Sequence, residues 1–408
     1  MTQERQVRFL DRSTPPHIFT LIVLAGLSAT AMNIFLPSLP RMAEYFDAPY
    51  RVMQLSVALY LAVSAVLQLF IGPISDSLGR RPVMLGGLLA FLLATLGCIF
   101  APTVEIFLMF RMCQGMVAVA MVLSRAVVRD MVSQDRAASM IGYVAMGMAV
   151  VPMISPAIGG ALDQLFGWKA PFWGLFALGA AAYLLTWADM GETLQRTGKP
   201  MRAQFAEYPL LFKSPRFWGY SLASGLSSGS FFAYLGGAPF VGTEVFGMNP
   251  ATLGLYIGAP AIGYFLGNFL TGRYATRFGV NVMVMAGCSA TLIACGALIV
   301  VFYLGLGTPL WFFGAMTLVG VGNGLSIPNA TAGMLSVRPQ LAGTASGLGG
   351  SLMIGVGAAL SALAGLLLTP QTGAMPLLLI MTITSLGGFV SIFLVIFREQ
   401  QLRGAPLS

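Results

Sequence analysis

The chain has 408 residues, 57% hydrophobic and only 9% charged, against about 25% charged residues in soluble domains, which excludes a soluble globular protein. Its formal net charge of +8 comes from basic residues scattered over short polar intervals between apolar runs. That is a membrane-topology pattern, not a nucleic-acid footprint.

Apolar runs of about 20 residues recur along the chain, each long enough to cross roughly 30 Å of hydrocarbon. Twelve spans are expected, at 18–39, 52–74, 82–101, 105–127, 139–161, 170–190, 217–240, 250–271, 281–303, 309–331, 342–367 and 375–397. Arg5, Arg8 and Arg12 precede the first run, which has no evident cleavage site and reads as a retained helix. That run ends Met32-Asn33-Ile34-Phe35-Leu36-Pro37-Ser38-Leu39-Pro40.

Between spans two and three lies Gly72-Pro73-Ile74-Ser75-Asp76-Ser77-Leu78-Gly79-Arg80-Arg81-Pro82. Such a charged stretch cannot sit in lipid, so it is expected as a hairpin at a membrane face, and its arginines mark that face as cytoplasmic. With an even number of spans both termini fall on the same side. Arg41, Arg51 and Lys169 alone fall on the opposite side, and Arg111 falls within span four.

The pattern G-x-x-x-D-x-x-G-R-R, carried by Gly72, Asp76, Gly79, Arg80 and Arg81, resembles the loop between helices 2 and 3 of the major facilitator superfamily. Arg111-Met112-Cys113-Gln114-Gly115 resembles that superfamily's helix 4 motif R-x-x-Q-G. An arginine well inside a span costs about 3 kcal/mol on insertion scales. The resemblance implies that Arg111 and Gln114 line a central cavity. The alternative is an arginine snorkelling to the outer interface with Glu105 as partner. Further along span four lie Arg125, Arg129 and Asp130. The resemblance implies an ion-pair cluster of Asp76, Arg80 and Asp130 that locks the two halves on the cytoplasmic side, with Gly72, Gly79, Arg81, Arg125 and Arg129 belonging to the same gate.

Span five holds Pro152-Met153-Ile154-Ser155-Pro156-Ala157-Ile158-Gly159-Gly160. Two prolines four apart predict a bend, and the glycines a close helix contact. The stretch resembles the G-P-x-x-G-G motif of drug exporters, with Ser155 in place of the first glycine; an ordinary kinked helix is the alternative. Together with the end of span one and with Ser124-Arg125-Ala126-Val127-Val128-Arg129-Asp130, it makes the chain similar to the bicyclomycin- and chloramphenicol-resistance (Bcr/CflA) group of drug:proton antiporters. Members of that group often carry aspartate where this chain has Asn33, and an amide cannot exchange a proton. No acid falls in the middle of an expected span, so Glu105 and Asp130, near helix ends, are the candidates for proton coupling.

The longest polar interval, Gly191 to Pro215, divides the chain. The expected domains are an N-terminal bundle 1–190, a cytoplasmic linker 191–216 and a C-terminal bundle 217–408. The halves echo each other at an offset of about 200 residues: Gly72, Gly79, Leu36, Pro40, Glu44 and Phe46 answer to Gly272, Gly279, Leu235, Pro239, Glu244 and Phe246. The expected fold is therefore an all-α membrane protein of twelve transmembrane helices in two pseudo-symmetric six-helix bundles. Asn33, Asn268, Asn323 and Asn329 either contact a ligand or bridge helices. Tyr60, Phe231, Phe232 and Tyr234 suit a cavity for apolar drugs, though packing is the commoner fate of any one of them. Cys98, Cys113, Cys288 and Cys295 have no metal-ligand spacing and read as small buried hydrophobes.

The function implied is multidrug efflux from a bacterial inner membrane, by proton antiport and alternating access, with a small drug-like molecule, protons and membrane lipid as partners and a monomeric carrier. No cofactor, metal, nucleic acid or enzymatic step is expected. A metabolite or organic-anion carrier of the same fold is the alternative. A membrane sensor or enzyme is disfavoured: there is no soluble domain, no G-x-x-x-x-G-K-[ST] loop and no cluster of metal ligands.

Overall fold

A computed structural model describes residues 7–131, 144, 151, 154–194, 208–338 and 342–404, in which helix dominates and no strand occurs among the described residues. The long helices are labelled in chain order. Helix α1 is Ile18–Asn33, α2 Tyr50–Leu78 and α3 Arg80–Phe100; α4 runs as Val104–Cys113, a tight turn Gln114–Val117 and Ala118–Met131. The described end of α5 is 154–166, and α6 is Ala170–Asp189. Then come α7 (Pro215–Phe240), α8 (Pro250–Ile257 and Ala259–Phe278), α9 (Val280–Tyr303), α10 (Pro309–Ser336), α11 (Ala342–Leu367) and α12 (Met375–Gly404).

Among the described residues 10 helices are long and apolar enough to cross a membrane. Helix α7 has 26 residues but is diluted by Ser221, Ser224, Ser227, Ser228 and Ser230, all buried. Most of expected span five, including Pro152, lies outside the described residues, as do the middle of the expected linker and the Arg129 side chain.

The chain groups into two compact units. Unit 1 is Met1–Met201 with Asn249–Leu255; unit 2 is Arg202–Met248 with Tyr256–Ser408. Within unit 1, α1 packs on α4 and α6, α2 on α4, and α3 on α4 and α6. Within unit 2, α7 packs on α10 and α12, α8 on α10, and α9 on α10 and α12. Adding six to each helix number of the first set gives the second. The internal repeat expected from sequence is thus a repeat of packing. Gly79 and Gly279 both adopt positive φ, 103° and 83°, where each closes one helix and opens the next. Glycine suits a conformation that L side chains rarely adopt.

The α2–α3 link differs from the expected hairpin. Helix α2 continues through Pro73 and Asp76 to Leu78, and α3 restarts at Arg80, so the link is Gly79 alone. The fall in hydropathy after Gly72 does not end the helix: Pro73 removes one donor, while Ser75 Oγ and Ser77 Oγ turn back onto Gly72 O and Ile74 O. Cys98, Cys288 and Cys295 are buried as expected, but Cys113 is exposed. Arg111 and Gln114 claim the inward face of α4, which leaves Cys113 turned outward.

The start of α1 is tied to the end of α6. Asp189, fully buried, accepts from Leu10 N (2.7 Å) through Oδ1, and from His17 N (2.8 Å) and Thr20 Oγ1 (2.6 Å) through Oδ2. Gly191 N donates to Thr14 O at 3.0 Å. At the other end of unit 1, α5 lies so close to α1 that a Cβ on Gly159 would collide with Ile34 O. A Cβ on Gly160 would collide with Pro250 O, and one on Gly254 with Pro156 O.

Gly159→Val should therefore lower the yield and melting temperature of detergent-solubilised protein, because backbone is the obstacle and cannot move aside. Gly86→Ala, on α3 with open space around it, is the control: it should leave both unchanged or gain roughly 0.5–1 kcal/mol from helix propensity.

Candidate functional site

Arg111 ends the first segment of α4 and is 1% exposed. Its Nε donates to Ser56 O (3.2 Å) on α2, Nη2 to Ala31 O (3.0 Å) on α1 and Nη1 to Gln114 Oε1 (2.7 Å). Ala31 lies in the last turn of α1, where carbonyls lack an intrahelical donor and the dipole favours a cation. The guanidinium carbon lies 4.2 Å from the centroid of Phe35 and 4.2 Å from that of Tyr60, so it is also held between two aromatic faces. Gln114 Nε2 passes the network to Thr95 Oγ1 on α3 (2.8 Å), which donates to Phe91 O. One cation thus joins α1, α2, α3 and α4.

No carboxylate is among the partners of Arg111 in the described residues. Glu105, the partner proposed for a snorkelling arginine, is exposed in the first turn of α4. The alternative of an arginine reaching the outer interface is therefore replaced by a fully buried one. The charge is solvated by neutral acceptors and rings, and no acid among the described residues compensates it.

The second constellation surrounds Gly79. Arg80 pairs with Asp76 (Nη1–Oδ1 2.6 Å) and with Asp130 at the end of α4 (Nε–Oδ2 2.9 Å), and it also bonds Ser75 Oγ. Asp76, Arg80 and Asp130 are brought together, but every one of these bonds lies inside unit 1, so the cluster is a joint within one half rather than the expected lock between two. Two residues add a feature the sequence did not suggest. Glu192, just past α6, accepts from the backbone N–H groups of Arg80 (2.9 Å) and Arg81 (3.2 Å), capping α3. In return Arg81 donates to Met190 O (2.7 Å) and Trp187 O (3.0 Å), capping α6. Each helix end is neutralised by a charge from the other. A Cβ on Gly79 would also meet the Glu192 carboxylate. Of the other gate candidates, Gly72 lies inside α2 with open space beside it and Arg125 is exposed.

The remaining candidates are more scattered. Ser155 is buried with its Oγ unpartnered among the described residues, on the same α5 stretch as Pro156, Gly159 and Gly160. Asn33, Asn268 and Asn329 each donate to the carbonyl four residues back in their own helix, at 2.7, 2.7 and 2.8 Å. Among the described residues only Asn329 also bridges helices, to Thr271 Oγ1 on α8 (3.1 Å). The buried oxygens Asn33 Oδ1 and Asn323 Oδ1 have no partner among the described residues. Tyr234 gives its hydroxyl to Ile257 O (3.1 Å) and stacks between Phe231 and Phe312, which places it in the core of unit 2 rather than on a cavity wall. Tyr60 is buried against Arg111, Phe232 is buried, and Phe231 is half-buried.

Comparison with known proteins agrees with this architecture. The sequence model described as Major Facilitator Superfamily matches residues 21–362. Multidrug resistance protein D of Escherichia coli is 31% identical over 90% of this chain and 93% of its own length. A chloramphenicol resistance protein of Pseudomonas aeruginosa is 30% identical over 81% of this chain and 80% of its own. Among solved structures, a bacterial homolog of the human lysosomal transporter Spinster superposes with a TM-score of 0.73 at 17% identity, covering 96% of this chain and 98% of that one. With its repeated helix packing, its α2–α3 link and its buried helix 4 arginine, and with the family model matched over residues 21–362, the chain belongs to the Major Facilitator Superfamily.

Proposed function

We propose that this multi-pass membrane transporter exports small drug-like molecules, by alternating access of the halves 1–190 and 217–408 and in exchange for protons. The proposed setting is a bacterial inner membrane, with both termini cytoplasmic, the segment 191–216 as the link, and a monomer as the working unit. The drug class is supported by the relatives named for multidrug and chloramphenicol resistance. The observation that carries the reading is Arg111: a charge buried within a span, without an acid to neutralise it among the described residues, is retained for transport rather than for stability. An uncompensated cation repels cationic cargo and favours neutral or anionic compounds. The same observation is why an organic-anion carrier stands as the second reading.

The α2–α3 link is the proposed inner gate. Because Glu192 and Arg81 hold α3 to α6 while Arg80 joins α2 to α4 through Asp76 and Asp130, the inner ends of four helices respond as one body. Coupling to protons requires an acid that loses and gains its charge during the cycle. Of the two candidates from sequence, Glu105 is exposed and Asp130 is already paired with Arg80.

Three outcomes are expected. Energised inverted vesicles containing the protein should release protons on addition of chloramphenicol or bicyclomycin, and control vesicles should not. Uptake of a labelled metabolite anion, with no drug-linked proton movement, would favour the second reading. Arg111→Lys should abolish transport while the protein still inserts, because an ammonium cannot reach acceptors on three helices in one plane. Its melting temperature should fall, since unpaired buried acceptors cost about 1–3 kcal/mol. Asp76→Asn should lower the transport rate without lowering the amount of inserted protein, measured as drug flux per mole of purified carrier.

A further inference from the structure

We propose that Asp163, with Ser38 and Arg41, forms a proton-binding site at the end of unit 1 remote from the α2–α3 link, and that loading it loosens the α1–α5 seam. In the orientation proposed above this is the outer face. The label rests on that reading; the site itself does not.

Two acids are fully buried among the described residues, Asp163 and Asp189. They differ in one respect. Asp189 has three donors spread over both oxygens. Asp163 has a donor on Oδ1 only, Arg41 Nη1 at 2.8 Å, and its Oδ2 has no hydrogen-bond partner among the described residues. A buried carboxylate oxygen left bare is costly while it is charged and stops being so when it takes a proton. The buried Ser38 hydroxyl faces the same carboxylate and, like Arg41, favours its charged form, against the larger push of burial toward the neutral one; its Oγ completes no hydrogen bond there. It is placed to accept from a protonated Oδ2.

The counter-charge has access to water. The Arg41 side chain is 43% exposed, so it can be hydrated once Asp163 is neutral. Arg41 is the charged group that faces Asp163 among the described residues. Glu44, on the same short helix Leu39–Tyr45, is exposed, and Lys169 lies over the Tyr45 and Trp168 rings. The chemistry balances simply. A proton from water adds to Oδ2, the carboxylate becomes a neutral carboxyl, and Arg41 keeps its charge.

The site is also mechanically placed. Asp163 lies four residues beyond Gly159, on the same face of α5, and Gly159 is where α5 meets the end of α1 at Ile34 O. Ser38 and Arg41 follow directly on α1. Arg41 Nη1 also bonds the Asp163 carbonyl at 2.7 Å. The seam is therefore clamped twice at one residue, and only the carboxylate clamp depends on protonation. As the outer pH falls, the charged clamp is lost and the neutral one remains.

The test titrates the full-length purified carrier by infrared difference spectroscopy from about pH 4 to about pH 9, reading the carbonyl band of a protonated carboxyl. Wild type should show a band that Asp163→Asn lacks and Asp163→Glu restores. Arg41→Gln should move its midpoint upward by about one unit or more, because removing the cation favours the protonated form. In proteoliposomes, wild-type exchange of labelled chloramphenicol should vary with external pH, and Asp163→Asn should flatten that dependence. Identical spectra for wild type and Asp163→Asn would overturn the site, as would an Arg41→Gln midpoint that does not move. An unchanged external-pH dependence in Asp163→Asn would overturn its link to the seam. Should Asp163→Asn fail to fold, the Arg41→Gln midpoint decides alone. Absence of chloramphenicol exchange in wild type would count against the efflux reading and leave the titration to judge the site.

Discussion

Where neighbouring helices shut out water, the free N–H groups at the start of a helix and the free C=O groups at its end need partners from the protein itself. Unit 1 meets that constraint with its few charges. Arg111 takes a carbonyl in the last turn of α1. Arg81 takes two at the end of α6, and Glu192 takes the first N–H groups of α3. Asp189 takes His17 N at the start of α1, and Arg41 joins Gly167 N on the Asp163 carbonyl near the end of α5. In each case a side chain from one helix finishes another. A charge so used is a joint between helices, and the motifs that make the family recognisable are in part a set of such joints.

The duplication preserves this unevenly. Both units show the same helix pairings and the same positive-φ glycine, and Phe46 and Phe246 each sit in an aromatic cluster, the first with Phe107 and Trp168, the second with Phe302, Phe312 and Phe313. The charges did not follow. Where unit 1 has Asp76, Arg80 and Arg81, unit 2 has Thr276, Val280 and Asn281. Its own terminal acid, Glu399 on α12, instead takes Asn281 Nδ2 (2.8 Å), Tyr220 OH (3.2 Å) and Arg216 (2.6 Å). The sixth helix of each half thus sends an acid to the start of the third, by backbone in one half and by side chain in the other.

Much of this was legible in the sequence, for a physical reason: lipid tolerates so few polar residues that hydropathy alone places the spans. Arg111, Gln114, Asp76, Arg80 and Asp130 stood out because a charge in or beside an apolar run has few possible fates. The end of α2 was misplaced because hydropathy falls after Gly72 while the helix continues to Leu78. Glu192, Asp189 and Asp163 were passed over because their partners lie more than a hundred residues away along the chain, and nothing local to an acid at a helix end tells which distant terminus it will satisfy. Asp163 was the hardest case, since its burial comes from the α1–α5 contact and not from its neighbours in sequence.

The grip of Asp189 on Leu10 and His17 spans 179 and 172 residues, and that separation bears on biogenesis. As the chain leaves the ribosome and enters the membrane from its amino end, α1 is among the first segments inserted, yet the acid that completes its beginning is made only when α6 is nearly finished. Until then the first helix has only its local cap, His17 Nδ1 on Phe19 N, and its preceding segment has no anchor. Closure of the first bundle is therefore set by its last helix, and the growing chain passes through a long interval in which α1 is already inserted but the bundle's tertiary structure is unfinished. Membrane quality-control factors that sense unfinished helix ends would meet this protein in that interval.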